Sequence, residues 1–310
     1  MVAAVRLPGI DSGAVALEIL GDPLMKTRLP LVVAALLLCG ASASAQNTAC
    51  SRECLRSVLD SYFLNMARHD PAKLNVTATL KFTENGQALK PGEGFWKTAG
   101  SASYKLYAFD TQSGAAAAQA VVRENGMPVL FLLRIRVEGR AIAEAETIVA
   151  RKGNVPFFAP EKLTQPDPFL AGMVAMTERN TRQQLRDVAD AYFSAVQSAG
   201  TPAYKPASFA DDATRFENGM QTTNVEVMGM PAATAAEQLD KAYFKGQTVT
   251  KRRFPVIDVD HGLVLGIAVV NPTGVDGLLL AELFKITGGK IRQIQAVMVN
   301  QPKNGPTGWN

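Results

Sequence analysis

Histidine and cysteine are scarce in this chain. Its 310 residues hold two His (His69, His261) and three Cys (Cys39, Cys50, Cys54). That supply cannot build a Cys₄ or His₃ zinc site, although a mixed or carboxylate-bearing site stays arithmetically open. The common cofactor and hydrolase motifs are also missing. No G-x-G-x-x-G follows a strand, and no G-x-x-x-x-G-K-[ST], G-x-S-x-G or H-E-x-x-H occurs. Nucleotide cofactors, ATP and the usual hydrolase elbow are therefore unsupported, and the expectation is a site with no cofactor and no metal. Excess charge is small at +4, and Lys251-Arg252-Arg253 is the one tight basic cluster. It reads as a solvated strand end, so no nucleic acid is expected as partner. A chain 47% hydrophobic and 19% charged has the balance of an ordinary globular protein. That excludes a disordered chain, a collagen and a disulfide-dense mini-protein.

The N-terminus reads as an address. Residues 1–24 precede a better start at Met25 and are expected to be a mis-called leader. Residues 25–45 have the three parts of a signal peptide: basic Met25-Lys26-Thr27-Arg28, an apolar run from Leu31 to Leu38, and Ala43-Ser44-Ala45 as the small-x-small cleavage pattern. Leu38 before Cys39 speaks against a lipoprotein. The mature chain would begin at Gln46, carry no membrane span, and be periplasmic or secreted. Cys50 and Cys54 would then sit in an oxidising compartment, where two readings stand: a disulfide with Cys50 ahead of the first helical turn, or two free thiols.

What the sequence does contain is a repeat. Leu55-Arg56-Ser57-Val58-Leu59-Asp60-Ser61-Tyr62-Phe63 matches Leu185-Arg186-Asp187-Val188-Ala189-Asp190-Ala191-Tyr192-Phe193 at six of nine positions. Glu84-Asn85-Gly86 recurs as Glu217-Asn218-Gly219, and the turn from Asp110 to Gly114 recurs from Asp258 to Gly262. Two copies of this size mean two similar domains, not a solenoid. The boundaries expected are 46–153 for the first domain, a Pro-rich linker at 154–178 (Pro156, Pro160, Pro166, Pro168), and 179–310 for the second.

Each copy opens with a helix. Leu55, Val58, Leu59, Tyr62, Phe63 and Met66 fall on one face at helical spacing. Strands follow at 79–84, 102–109, 115–123, 129–137 and 141–150, and again at 213–217, 251–258, 263–270, 278–286 and 290–299. Helices followed by runs of strands make an α+β fold. The expected form is two tandem cones, each with helices packed on a curved antiparallel sheet whose open end is a pocket.

Several motifs carry a family likeness: Cys50-x-x-x-Cys54, His69-Asp70-Pro71, Phe82 to Gly86, Gly92 to Trp96, Glu146 to Gly153, Arg253 to Asp258 and Lys290 to Ile294. With them, residues 46–310 resemble the nuclear-transport-factor-2-like (cystatin-like roll) superfamily. More narrowly, they resemble secreted tandem-repeat proteins of its SnoaL-like branch. The resemblance implies a cofactor-independent lyase or isomerase, working by acid–base chemistry on a small, apolar, aromatic molecule such as a lignin-derived dimer or a polyketide-like compound. The same fold also hosts pure binding proteins, so a non-catalytic periplasmic carrier of a hydrophobic small molecule is the alternative. Homodimers are common in the superfamily, which implies an internal pseudo-dimer of the two domains.

The candidate residues follow from these patterns. His69 can exchange a proton near neutral pH, or serve a helix end. Glu84 shares a strand face with Leu80 and Phe82, where a carboxylate meets a partner or has a raised pKa. Glu144 and Glu146 align with Gln293 and Gln295, so the first copy alone keeps carboxylates there. Glu146 is taken as a proton acceptor, with a cross-strand pair to Arg134 or Arg136 as the other reading. Tyr62 or Arg134 would stabilise developing negative charge. Trp96, Tyr104 and Tyr107 add aromatic surface for substrate binding. Together these point to the first copy as the working one.

Overall fold

The computed structural model describes residues 50–309 apart from Asn154 and Pro156. The leader 1–24 and the signal peptide 25–45 lie outside the described residues.

The repeat in sequence is a repeat in structure. The first copy runs α1 (Arg52–Ala67), β1 (Val76–Glu84), β2 (Gln87–Ala88), β3 (Ala99–Asp110), β4 (Ala115–Glu124), β5 (Met127–Glu138) and β6 (Ala141–Ala150). Between the copies, the proline-rich stretch holds α2 (Pro168–Ala171). The second copy runs α3 (Arg182–Ser198), β7 (Phe209–Glu217), β8 (Met220–Gln221), α4 (Ala235–Asp240), β9 (Thr248–Asp258), β10 (Leu263–Asn271), β11 (Gly277–Thr287) and β12 (Lys290–Gln301). The two sheets have the same order, β2-β1-β6-β5-β4-β3 and β8-β7-β12-β11-β10-β9. One expectation is corrected here. Each sheet is mixed, because β1 lies parallel to β6 and β7 parallel to β12. The hairpins alternate direction, but the first strand is brought back beside the last by a long connection, and hairpin signals carry no information about that pairing.

Local chemistry sets the ends of these elements. Ser51 caps α1 by accepting from the Cys54 amide, and Cys50 is disulfide-bonded to Cys54 just ahead of the helix. Thr181 and Gln184 form a capping box on α3 instead. His69 stops α1. It takes a left-handed backbone (φ 54°), with its amide bonded to Met66 O and the Asp70 amide to Asn65 O, which is the Schellman arrangement. The β5–β6 turn places Gly139 and Arg140 at positive φ, as the β11–β12 turn does Gly288 and Gly289. Two such residues make the type I′ turn that suits the twist of a tight hairpin.

Both faces of each sheet are covered. On one face of the first sheet, Leu55, Leu59, Phe63 and Met66 of α1 pack on Ala116, Ala118, Phe131, Leu133 and Ile135. The second sheet packs in the same way on α3. The remaining faces of the two sheets share one apolar cluster, with Tyr104, Leu106, Ala117, Leu130 and Ile148 from one and Val256, Leu265, Ile267, Leu283 and Val297 from the other. Ion pairs cross this junction reciprocally. Arg52, opening α1, meets buried Asp258 of the second copy. Arg182, opening α3, meets buried Asp110 of the first at 2.6 Å. Asp258 also accepts from the Phe109 amide at 2.9 Å, and Asp110 from the Ile257 amide at 3.1 Å. The repeated turn aspartates thus hold each copy to the other through reciprocal contacts.

Candidate functional site

The strand register fixes which residues of the two copies are equivalent. Glu84 and Leu133 both oppose Thr147, while Glu217 and Glu282 both oppose Ala296. Phe82 opposes Ala145 and Arg215 opposes Ile294. The helix-facing side of the first sheet therefore carries Phe82, Glu84 and Leu133, where the second carries Arg215, Glu217 and Glu282. The core tyrosines, Tyr62 and Tyr192, match each other.

These substitutions coincide with a difference in filling. In the first copy the segment Gly94–Lys97 drives Phe95 and Trp96 into the core, both 1% exposed. Trp96 donates its indole N–H to Tyr62 Oη at 2.9 Å, and Phe95 stacks 5.3 Å from Phe131. In the second copy, α4 stands at that place, and a cavity of about 230 Å³ remains between α3 and the sheet. Its wall is mostly apolar, with Phe157, Phe193, Phe244 and Met298, and four polar side chains line it: Tyr192, Glu217, Gln247 and Glu282.

Glu282 is the unusual member. It is 2% exposed, and its Oε2 has no hydrogen-bond partner among the described residues. Its Oε1 receives only a long contact, 3.4 Å, from the Tyr192 hydroxyl. Burial, and then the nearby Glu217 charge, push its carboxyl up to about 8, with Arg215 pulling the other way. Burial, followed by the Glu282 charge, raises Tyr192 too, so its hydroxyl stays a donor. Arg215 lies behind the wall. Its Nε is 3.3 Å from Thr222 Oγ1 and 3.7 Å from Glu217 Oε1, its other arm is held by Gln238, and its ring-plane neighbour is Phe244 at 5.0 Å. This group combines a carboxylic acid that burial pushes up to about 8 and a hydroxyl donor at an apolar space, with a fixed positive charge behind the wall. Such a set can give, take or hold a proton. Among the described residues, no group of three or more His, Cys, Asp or Glu could hold a metal ion.

The residues singled out from the sequence are distributed differently. Tyr62, Glu84, Trp96 and His69 do come together in the first copy. Glu84 accepts from the Phe95 amide at 2.8 Å, and burial raises its carboxyl. Exposed His69 sits outside, its Nδ1 2.6 Å from Trp96 O. Glu146, Arg134 and Tyr104 stand on the opposite face of the sheet, at the junction between copies. Glu146 is 1% exposed and receives both terminal nitrogens of Arg253, at 2.6 and 3.1 Å. Arg134 lies 3.5 Å from it and 4.4 Å over the ring of Trp309, and also holds Glu144. Tyr107 lies on the helix side at the rim, its hydroxyl donating a hydrogen bond to Asp60 at 2.5 Å. Alternation placed Glu144 and Glu146 together correctly, but which face they shared depended on the junction. The signal for the second cavity was in the sequence: Leu278, Leu280, Glu282, Phe284 and Ile286 alternate as an apolar face with a single carboxylate inside it.

Residues 178–298, the second copy, match the model of a family described as Domain of unknown function (DUF8021). No curated protein matches the chain. Among solved structures, the chain is similar to a de novo designed protein with a curved β-sheet (15% identity, 33% of this chain and 89% of that one, TM-score 0.28). It is similar also to an NTF-2-like protein of unknown function from Burkholderia xenovorans LB400 (12% identity, 38% of this chain and 85% of that one, TM-score 0.28).

Proposed function

We propose that the second copy is the working one. It would be a cofactor-independent acid–base site for a small, largely apolar molecule, in a tandem nuclear-transport-factor-2-like protein of the SnoaL-like kind. The first copy, on this reading, is its structural partner in an internal pseudo-dimer. Periplasmic or secreted placement belongs to the same reading and rests on the signal-peptide pattern. One observation carries the functional part: Glu282 presents an unpartnered, buried carboxyl oxygen at an apolar cavity. A buried polar group without a partner costs stability, so it persists where it serves something else.

The cavity size supports a single ring. A cavity of about 150 Å³ accommodates benzene, so 230 Å³ suits one ring with small substituents. Ionised Glu282 would take a proton from a carbon next to a carbonyl, and the Tyr192 hydroxyl would donate to the oxygen as charge builds there. The protonated acid would then return the proton at the same or a neighbouring carbon, giving exchange or isomerisation. Because the carboxyl titrates at about 8, the base form gains population as pH rises through that value.

The test is deuterium exchange at the methyl group of acetophenone in D₂O, followed by NMR. The protein should accelerate exchange, more so above pH 8, and Glu282→Gln should lower the rate about a hundredfold. Exchange that is equal in protein and Gln variant overturns the catalytic role. A second reading, ligand retention without turnover, draws on the same protonated acid, which at neutral pH acts as a donor. Saturable binding of acetophenone with exchange no faster than in buffer would favour it.

A further inference from the structure

A second space lies beside the inner cavity and shares lining residues with it. It is an open groove of about 480 Å³, lined by Val155, Pro272, Val275, Asp276 and Asn300. Pro272 and Leu278 border both spaces. Leu278 is only partly buried, while Leu280, the next residue on the same strand face, is inside the core. The two residues common to the linings are both apolar. The linker contributes to both, with Val155 outside and Phe157 within. The ionisable groups in the two linings are acids: Glu217 and the buried Glu282 line the inner wall, with Arg215 behind it, and Asp276 stands in the outer groove, whose lining includes no lysine or arginine.

We infer that the ligand of this chamber has two parts: a ring-sized apolar head seated beside Glu282, and a flexible chain that passes Leu278 and Pro272 into the outer groove. The inference rests on the reading of the second copy as the working site and extends it. The inner space holds the ring and little more, whereas the outer space is larger, open and half apolar. The exposed Asp276 disfavours an anionic chain end in the outer groove, by a like-charge repulsion that solvent moderates. The class indicated is an aryl- or cycloalkyl-alkyl compound that is neutral or cationic at its far end.

Binding of four probes by titration calorimetry to the full chain tests this: p-cresol, phenylbutanol, phenylbutylamine and phenylbutyrate. Phenylbutanol and phenylbutylamine should bind about tenfold tighter than p-cresol, the gain expected from burying two or so methylenes. Phenylbutyrate should bind more weakly than phenylbutanol. Val275→Trp, a change on an exposed position that fills the outer groove, should bring the phenylbutanol to p-cresol affinity ratio close to one. If p-cresol binds and the chain adds nothing, or if Val275→Trp leaves the ratio as it was, the two-part ligand is overturned while the chamber reading stands. If phenylbutyrate binds as tightly as phenylbutylamine, the charge assignment is overturned. If none of the four binds, the chamber reading falls, and this inference falls with it.

Discussion

The two halves of the molecule share a topology and differ in what fills them. The first sheet faces α1 with Phe82 and Leu133, and Trp96 closes the space against Tyr62. The second faces α3 with Arg215 and Glu282 at the same two positions and keeps a cavity. The first half has a space of similar size, but it lies beside Cys54, Val58, Leu74 and Ile142 and includes neither Tyr62 nor Glu84, whereas the space in the second half reaches Tyr192 and Glu282. The second half can carry an unpartnered carboxylate because its neighbour stabilises the whole. The helix starts differ in the same sense. A disulfide fixes the entry to α1, and a capping box fixes the entry to α3.

The largest test of this contrast is to open a space beside Tyr62. Trp96→Ala removes a fully buried ring and leaves Tyr62 without its donor. It should cost about 3–5 kcal/mol in a denaturant melt. A loss under about 1 kcal/mol would mean that the first core is not held by Trp96. The reciprocal clamps come next. Arg52→Ala takes the charged partner from Asp258, and Arg182→Ala the one from Asp110, while backbone amides still reach both carboxylates, so each should cost about 2–3 kcal/mol, and the two costs should be similar. Clearly unequal losses would show that the two clamps are not equivalent. Burial opposes ionisation of Asp258, but His261, Arg52 and the Phe109 amide together hold its carboxyl below the usual range. A depressed acid contributes stability above its unfolded value, near 3.8, that is lost as pH falls through the folded one. The Arg52→Ala penalty should therefore shrink in acid.

A third change makes the second half resemble the first. Glu282→Leu copies Leu133 and should raise stability at pH 7 by roughly 1–3 kcal/mol while abolishing proton exchange. The sign follows from the raised carboxyl. Between 4.5 and about 8 the unfolded chain ionises there and the folded one does not, so wild-type stability falls as pH rises across that window. The gain from Leu should grow over the same interval and then level off. A variant less stable than wild type at pH 8 would show that Glu282 is structural. The smallest effect belongs to the helix entries. Cys50→Ser with Cys54→Ser opens a very short loop, worth at most about 2 kcal/mol. Faster amide exchange should be confined to the first turn of α1, with α3 unaffected.

Most of the strand plan was legible because alternation and turn residues are local. The span expected at 141–150 is β6 itself, and the Asp–Gly turns close the hairpins as their spacing indicated. The site was less legible. Glu144 and Glu146 oppose Arg136 and Arg134 in the register that the alternation implies. However, each sheet is buried on both sides, so sharing a face with isoleucines did not say whether that face bordered a chamber or the other copy. The Glu-to-Gln exchange at 146 and 295 drew attention to the first copy for the same reason. Glu282 was overlooked although its strand isolates one carboxylate among apolar neighbours. The Glu-Asn-Gly motif also found its meaning only in three dimensions. Gly86 runs against Pro306 O and Gly219 against Ala159 O, where a Cβ would stand 2.2 and 2.5 Å away, so each copy's exit segment crosses the other's motif.

The sequence by itself determined the duplication, the helix faces, the hairpin turns and the absence of the common cofactor motifs, because each depends on residues near one another along the chain. Only the tertiary structure decided which sheet face borders a chamber, which arginine meets which aspartate, and which copy keeps a space beside its core tyrosine. Those depend on what another element places opposite, and a side chain's chemistry is set by that neighbour: Glu146 meets Arg253 from the other copy, while Glu282 meets open space.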